Sequence, residues 1–450
     1  MATSLYRNPL TIGLLASIVA IAFEAMAVTT ALTVAARELG NDGLYAWTFT
    51  AFALAQTVAI VLTGQLVDRG GPLLPLIIGV SLFALGLVTA ATAAVMGQLL
   101  IARALQGFGS GMMNLVIMVI VPLAYDERER PHLMTAFSTA WVAPALVGPA
   151  IAAWIATSFS WHWVFWAVLP LLAFGVLMIA RPVLEVVRTH PTQGKPMDVR
   201  LVLLAFALAI AAAVIQAAGQ WLTVWTATGA AVALIVIGVG FPRLMPGGFT
   251  WLGDGLSAVV LTRALLMGAF FGTQIFLTPL LTHARGVDLV LAGIVITISS
   301  IGWTFGAWLQ SRHWLPFSRD VLISIGALVM TLGMGVVALG AWLEPVPVWV
   351  TGVGFAAAGC GVGIASASLS LALMDLSLQA ELGHNTSSLQ VAEALGTAVA
   401  AGLGGTLVLV SAAGPQAYGL AMTAMALLGL LGIAFSRRIG SLQNFALAHP

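Results

Sequence analysis

The chain has 450 residues, of which 60% are hydrophobic and 7% charged, and its formal net charge is +1. That much apolar surface exceeds what a soluble core can bury, so the composition is that of an all-α polytopic membrane protein. The near-neutral charge excludes a nucleic-acid partner, and the single cysteine, Cys360, excludes an internal disulfide and a cysteine zinc cluster.

Apolar runs and their breaks predict fourteen membrane helices, near 11–36, 44–66, 73–96, 98–124, 132–157, 161–181, 200–219, 221–240, 256–282, 289–310, 320–342, 347–374, 387–411 and 415–436. The first run is longer than a signal-peptide core and reads as an uncleaved helix. With the N-terminus inside, Arg7, Arg69, Arg128, Arg130, Arg181, Arg188, Lys195, Arg200, Arg243, Arg312, Arg319, Arg437 and Arg438 fall on the cytoplasmic side, and Arg37 and Arg285 outside. This bias predicts a multi-pass cell-membrane protein with both termini cytoplasmic.

Polar breaks at Arg181–Arg200 and Phe241–Gly255 divide the chain 6+2+6. Residues 1–181 are expected to form one six-helix half, 182–255 the cytoplasmic linkers and an inserted helix pair, and 256–450 the second half with a short cytoplasmic tail. Phe23-Glu24 through Arg37 matches Phe271-Gly272 through Arg285 in spacing, so the outer blocks read as pseudo-symmetric repeats. The inserted pair has no acidic or basic residue between Leu201 and Gly240 and is expected to lie outside the two-half core.

Charges inside these runs are the strongest functional signal. An arginine at the centre of a membrane helix costs roughly 2.5–3.5 kcal/mol on translocon scales, so Arg103 needs a partner or a wet cavity. Glu24 lies ~20 Å along the first helix from Thr11, and Arg103 ~8 Å along the oppositely running fourth helix from Gln98. In a hydrocarbon core ~30 Å thick the two charges are level. Gln106, one turn on from Arg103, belongs to the same cluster or to a helix–helix strut. Burial and a nearby cation act in opposite senses on such a carboxyl, so opening and closing a cavity can move it between ionised and protonated states. Glu393, some six residues into the thirteenth helix, and Arg263, seven into the ninth, form a second candidate pair unless Arg263 snorkels to the headgroups. Asp375 reads as interfacial, and the run Asp126–Arg130 as a solvated turn.

Gly107, Gly109 and Gly111, like Gly359, Gly361 and Gly363, read as close helix packing, because two-residue spacing does not line one helix face. Met112, Met113, Asn114, Trp141, Phe270, Phe271 and Gln274, with Gln106, are candidate cavity residues or ordinary packing.

Four short motifs carry a family resemblance. Gly64-Gln-Leu-Val-Asp68-Arg69-Gly-Gly resembles the Gly-x-Leu-x-Asp-Arg-x-Gly signature of the major facilitator superfamily, and Arg103-Ala-Leu-Gln106-Gly107-Phe-Gly109 is similar to that family's fourth-helix motif. Gly148-Pro149 resembles its antiporter motif, and Trp161-His162-Trp163 the aromatic turn of its drug-efflux branches. Fourteen helices resemble its drug:proton antiporters. The resemblance implies that Asp68 and Arg69 latch a gate, with Asp68 at the start of a helix in the other half, where the dipole favours an anion. The chain departs from the pattern at Pro72 and Leu73, where the first signature usually continues with a basic residue. The related turn Gly306–Arg312 lacks the acid.

The reading is a secondary transporter that exchanges protons for a small lipophilic or amphipathic molecule by alternating access. The proton gradient drives it without a cofactor or metal, it works as a monomer, and its partners are the substrate, protons and the bilayer. No Gly-rich loop ending in Lys-Ser or Lys-Thr suggests ATP. Proton-coupled uptake of a nutrient or metabolite is the alternative. An intramembrane lipid-modifying enzyme is a distant one, since no His-Glu-x-x-His or Gly-x-Ser-x-Gly pattern is present.

Overall fold

A computed structural model of the chain describes residues 8–126, 129–189, 196–220, 224–312, 315, 317–343, 345–378, 381–411 and 415–442. Fourteen α-helices carry them: α1 (Pro9–Glu38), α2 (Tyr45–Gly70), α3 (Leu73–Ala91), α4 (Met96–Ala124), α5 (Arg130–Ser158), α6 (His162–Thr189), α7 (Val199–Gln220), α8 (Val224–Leu244), α9 (Leu256–Pro279), α10 (Leu289–Gln310), α11 (Arg319–Trp342), α12 (Val348–Leu376), α13 (Leu382–Val410) and α14 (Pro415–Ser436). Among the described residues thirteen helices are long and apolar enough to cross a bilayer, and Thr228–Leu244 is a shorter apolar helix. The chain is a multi-pass membrane protein of the all-α class. Residues 127–128 of the run Asp126–Arg130 lie outside the described residues.

The chain forms two compact units, residues 1–203 and 204–450, with the division inside α7. Their internal packing repeats. In the first unit α1 packs on α5 and α6, α4 on α2 and α3, and α3 on α6. In the second, α9 packs on α13 and α14, α12 on α10 and α11, and α11 on α14.

Lipid offers no hydrophobic drive between helices, so close approach of small residues does the work. Gly107 and Gly111 lie one turn apart and face Phe52 and Gln56 of α2, whereas Gly109 faces Gly79 and Phe83 of α3. The alternating spacing therefore serves two neighbours. The second unit repeats the arrangement: Gly359 and Gly363 face Ser299 and Trp303 of α10, and Gly361 faces Gly326 and Met330 of α11.

Local chemistry sets the helix ends. Asn8 caps α1 by accepting the Leu10 N–H at 2.9 Å, with Pro9 in the first turn, where a missing N–H costs nothing. Several boundaries differ from the sequence expectation, and α3 stops at Ala91 rather than near 96 while α8 runs to Leu244 rather than near 240. The segment after Gly64 is not a free turn, because α2 continues through Asp68 and Arg69 to Gly70 and stops at Gly71, whose φ of 82° suits glycine. Helix α6 runs eight residues past Arg181 with Pro182 inside it, because Val183, Val186 and Val187 pack against the core around Leu10, Leu14 and Ile18. Helix α13 begins at Leu382, not near 387, and its first turns are held by side-chain bonds: Asn385 Nδ2 donates to Ser377 Oγ at 2.9 Å, and Ser388 Oγ to the Leu244 carbonyl at 2.7 Å.

The inserted pair packs within the second unit. Gln216 of α7 is buried against Gly402 of α13, while α8 presents Trp225, Leu234 and Ile235 outward. Membrane lipid suits that outer face.

Candidate functional site

The first unit holds a buried polar cluster between α1, α2 and α4. Glu24 is 0% exposed and Arg103 3%. Arg103 Nη1 donates to Glu24 Oε1 and, at 2.8 Å, to Gln106 Oε1. Its Nε donates to the Thr48 carbonyl at 3.2 Å, and its guanidinium carbon lies 4.5 Å from the centre of the Phe52 ring, a cation–π contact. Gly86 of α3 leaves the space that Gln106 fills. Two polar atoms of this cluster, Glu24 Oε2 and Gln106 Nε2, are buried without a hydrogen bond among the described residues.

The level placement of Glu24 and Arg103 expected from helical rise is thus a direct contact. Thr48 and Phe52 were not foreseen. Their signal was available: Thr48, Phe52 and Gln56 stand at i, i+4 and i+8, one face of α2. That face meets the glycines of α4.

Gly148 and Pro149 lie in α5 opposite the turn that carries Glu24. A methyl group at Gly148 would sit 3.6–3.8 Å from Met26, Ala27 and Phe23 of α1. A second internal proline, Pro144, lies one turn earlier. Such prolines leave backbone carbonyls without their usual helical partners.

In the second unit Arg263 of α9 meets Glu393 of α13. Arg263 Nη2 and Nε both reach Glu393 Oε2, at 2.8 and 2.9 Å, and Nη1 donates to the Ser366 carbonyl of α12 at 3.0 Å. The side chains are 13% and 28% exposed, so this pair is less fully buried than the first. The earlier start of α13 places Glu393 eleven residues past Leu382 rather than about six into the helix. Asp375 pairs with Arg319 at 3.4 Å at the ends of α12 and α11.

Phe270 and Phe271 join an aromatic cluster with Trp303 and Phe355. Phe270 stacks on Phe355 with ring centres 5.3 Å apart and meets Trp303 edge-on at 5.3 Å. No spacing rule links α9 to α10 and α12, so these partners were not legible in the sequence. Gln274 is buried one turn beyond Phe270. Met112 and Met113 are fully buried, and both approach Gly79 of α3, a packing contact. Asn114 is half-buried and Trp141 exposed. Asp68 and Arg69 are exposed in the last turn of α2, and Gly64, half-buried in the same helix, has only Leu115 near it. Neither charged side chain makes a hydrogen bond or ion pair among the described residues.

The aromatic turn ties three segments together. Trp161 is fully buried, its Nε1 donates to Glu38 Oε2 at 2.8 Å, and His162 Nε2 lies 3.1 Å from the Ala93 carbonyl. In the second unit Arg285 serves a related end, donating to the Gly340 and Leu343 carbonyls at the end of α11 and to the Val346 carbonyl in the connection that follows. No group of three or more potential metal-ligating side chains occurs among the described residues.

Comparison with known proteins agrees with this architecture. The family model of the Major Facilitator Superfamily matches residues 13–401. The multidrug transporter protein MdtP of Bacillus subtilis is 29% identical over 175 residues, 39% of this chain and 32% of that protein. An uncharacterized MFS-type transporter of Mycobacterium tuberculosis is 26% identical over 331 residues, 73% of this chain and 46% of that protein. The multidrug efflux pump SdrM of Staphylococcus aureus is 26% identical over 158 residues, 35% of each chain. These matches span less than half the length of each relative. Among solved structures, a POT family transporter in complex with 5-aminolevulinic acid superposes with a TM-score of 0.71 at 16% identity, covering 96% of both chains. At that identity the likeness concerns the fold. The relatives are transporters, not enzymes, and the chain belongs to the Major Facilitator Superfamily.

Proposed function

We propose that the protein is a proton-coupled exporter of small lipophilic or amphipathic molecules, working by alternating access of its two six-helix halves. The observation that carries this reading is the Glu24–Arg103–Gln106 cluster. Arg103 has three further contacts, at Gln106, Thr48 and Phe52, so protonation of Glu24 and loss of the ion pair leave the guanidinium still held. Glu24 in turn has a second oxygen without a partner, where a proton can reside. An acid that gives up its arginine without orphaning it can shuttle between two states at modest cost, as a proton carrier must.

The direction of transport is inferred from two features. Gly148-Pro149 matches the antiporter-type motif and packs on the turn of Glu24, and several relatives carry multidrug transport in their names. Phe270 and Phe355 are buried packing in the second half, and the half-buried rings at their edge, Phe271 and Trp303, are the aromatic faces assigned to apolar substrates. The Arg263–Glu393 pair, less fully buried than the first, is assigned a supporting role in proton movement or in closing that half. Both termini are placed in the cytoplasm of a cell-membrane protein, on the charge bias of the loops.

The test is transport in proteoliposomes. Purified protein with an imposed pH gradient is given a panel of lipophilic dyes and amphipathic drugs, alongside small hydrophilic peptides. Gradient-driven movement of the lipophilic compounds against the proton flow supports the reading. Movement of the substrate with the protons would show a symporter instead.

A further inference from the structure

The second unit carries a groove of about 470 Å³ between the start of α11 and the end of α14, and none of its lining residues belongs to either acid–arginine cluster. Its walls change character along the helices. Asp320, Ser324, Ser436, Arg437 and Ser441 line one end, and Ile325, Leu328 and Ile433 the other. Asp320 and Leu328 are eight residues apart on α11, so the polar end and the deepest apolar residue are separated by roughly 12 Å. Both helices are long and apolar enough to cross a membrane, and the polar end lies at the last residue of α14, Ser436, and the first turn of α11.

The charges at that end are mostly committed. Arg438 pairs with Asp254 at 3.0 Å, Arg319 with Asp375, and Ser324 and Ser436 bond each other at 3.0 Å. Asp320 accepts the Leu442 N–H through Oδ1 at 3.2 Å. Arg437 is exposed and makes no hydrogen bond or ion pair among the described residues. A groove with a polar mouth at the interface, an uncommitted arginine and an apolar floor reaching toward the hydrocarbon matches one occupant in charge and in length.

We infer that this groove is a phospholipid site, holding the phosphate on Arg437 and laying an acyl chain along Ile325, Leu328 and Ile433. Asp320 adds selectivity. With one acid and one free base at the mouth, the headgroup that fits is zwitterionic and carries N–H donors, as phosphatidylethanolamine does. Phosphatidylcholine lacks the donors and phosphatidylglycerol lacks the cation.

The full chain, purified and delipidated in detergent, is titrated with each of the three lipids, and the first bound lipid is followed by native mass spectrometry. Wild type is expected to bind phosphatidylethanolamine most tightly. Arg437→Ala should weaken that binding about tenfold or more, the usual scale for one charged hydrogen bond. Leu328→Trp, which fills the floor, should weaken all three lipids. Equal affinity of Arg437→Ala and wild type overturns the site. Saturable binding of chain-free glycerophosphoethanolamine overturns the bilayer as its source. Should Arg437→Ala fail to fold, wild type alone decides, because equal affinity for the three lipids also overturns the proposal.

Discussion

Replacing Gly107 by alanine tests whether the site depends on helix contact. A methyl group there would overlap the Phe52 carbonyl of α2, a backbone atom that cannot rotate away. Overpacking of this kind costs about 1–3 kcal/mol, and a backbone obstacle places it near the upper end. Alanine returns up to about 1 kcal/mol of helix propensity, so the net loss is about 2 kcal/mol. The consequence reaches the site, because the same segment of α2 supplies the Thr48 carbonyl and the Phe52 ring to Arg103. If α2 moves away from α4, the charged bond to Thr48 weakens as well, adding up to about 1.5–3 kcal/mol. The assay is unfolding of purified protein in detergent, by heat and by denaturing-detergent titration, with Gly97→Ala as the control on the same helix, where nothing lies within 4 Å of the added methyl. Gly107→Ala should unfold earlier than wild type and Gly97→Ala should not. Equal stability of the two variants would refute the claim that glycine contact between α2 and α4 positions Arg103.

Arg103→Ala leaves Glu24 buried without its ion-pair partner and should cost about 3–5 kcal/mol in the same unfolding assay unless the acid takes up a proton, whereas Arg263→Ala, at a less fully buried pair, should cost less, about 1.5–3 kcal/mol. Gln216→Leu removes an amide whose oxygen and nitrogen are both buried without a hydrogen bond, so stability should rise by about 1–2 kcal/mol with transport unchanged. Loss of transport in folded Gln216→Leu protein would instead place the inserted pair on the substrate path. Trp161→Phe breaks the bond to Glu38 and should lower stability by about 1–2 kcal/mol, with no change in the pH dependence of transport. On a Cys360→Ala background, a cysteine at Thr192, which lies outside the described residues, should resist an impermeant thiol reagent added to intact cells, and labelling from outside would reverse the assigned orientation.

Much of the fold was legible because a membrane restricts the options to apolar helices, and their breaks are marked by charge and proline. The observed α10 and α14 start and stop where the hydropathy does. Two of the misread ends share a cause. At α6 and α13 the helix continues through polar sequence because tertiary partners hold it, Val183 in the core and Ser388 on the Leu244 carbonyl. Glu24 and Arg103 were legible for a related reason, since two charges in apolar helices at one depth have few places to go. The aromatic cluster was not. Phe270, Trp303 and Phe355 come from three helices, and nothing in a linear pattern of apolar residues distinguishes one buried ring from another.

The central claim, that Glu24 carries the coupled proton, is tested most directly by Glu24→Gln in proteoliposomes with an imposed pH gradient. Glutamine keeps the shape and a bond to Arg103 but cannot exchange a proton. The measurement uses a lipophilic dye that wild type transports, with thermal stability recorded in parallel. If Glu24 carries the proton, the variant folds and binds the dye and no longer accumulates it in response to the gradient. Folded Glu24→Gln protein that still concentrates the dye using only the proton gradient contradicts it, and Glu393 then becomes the residue to replace.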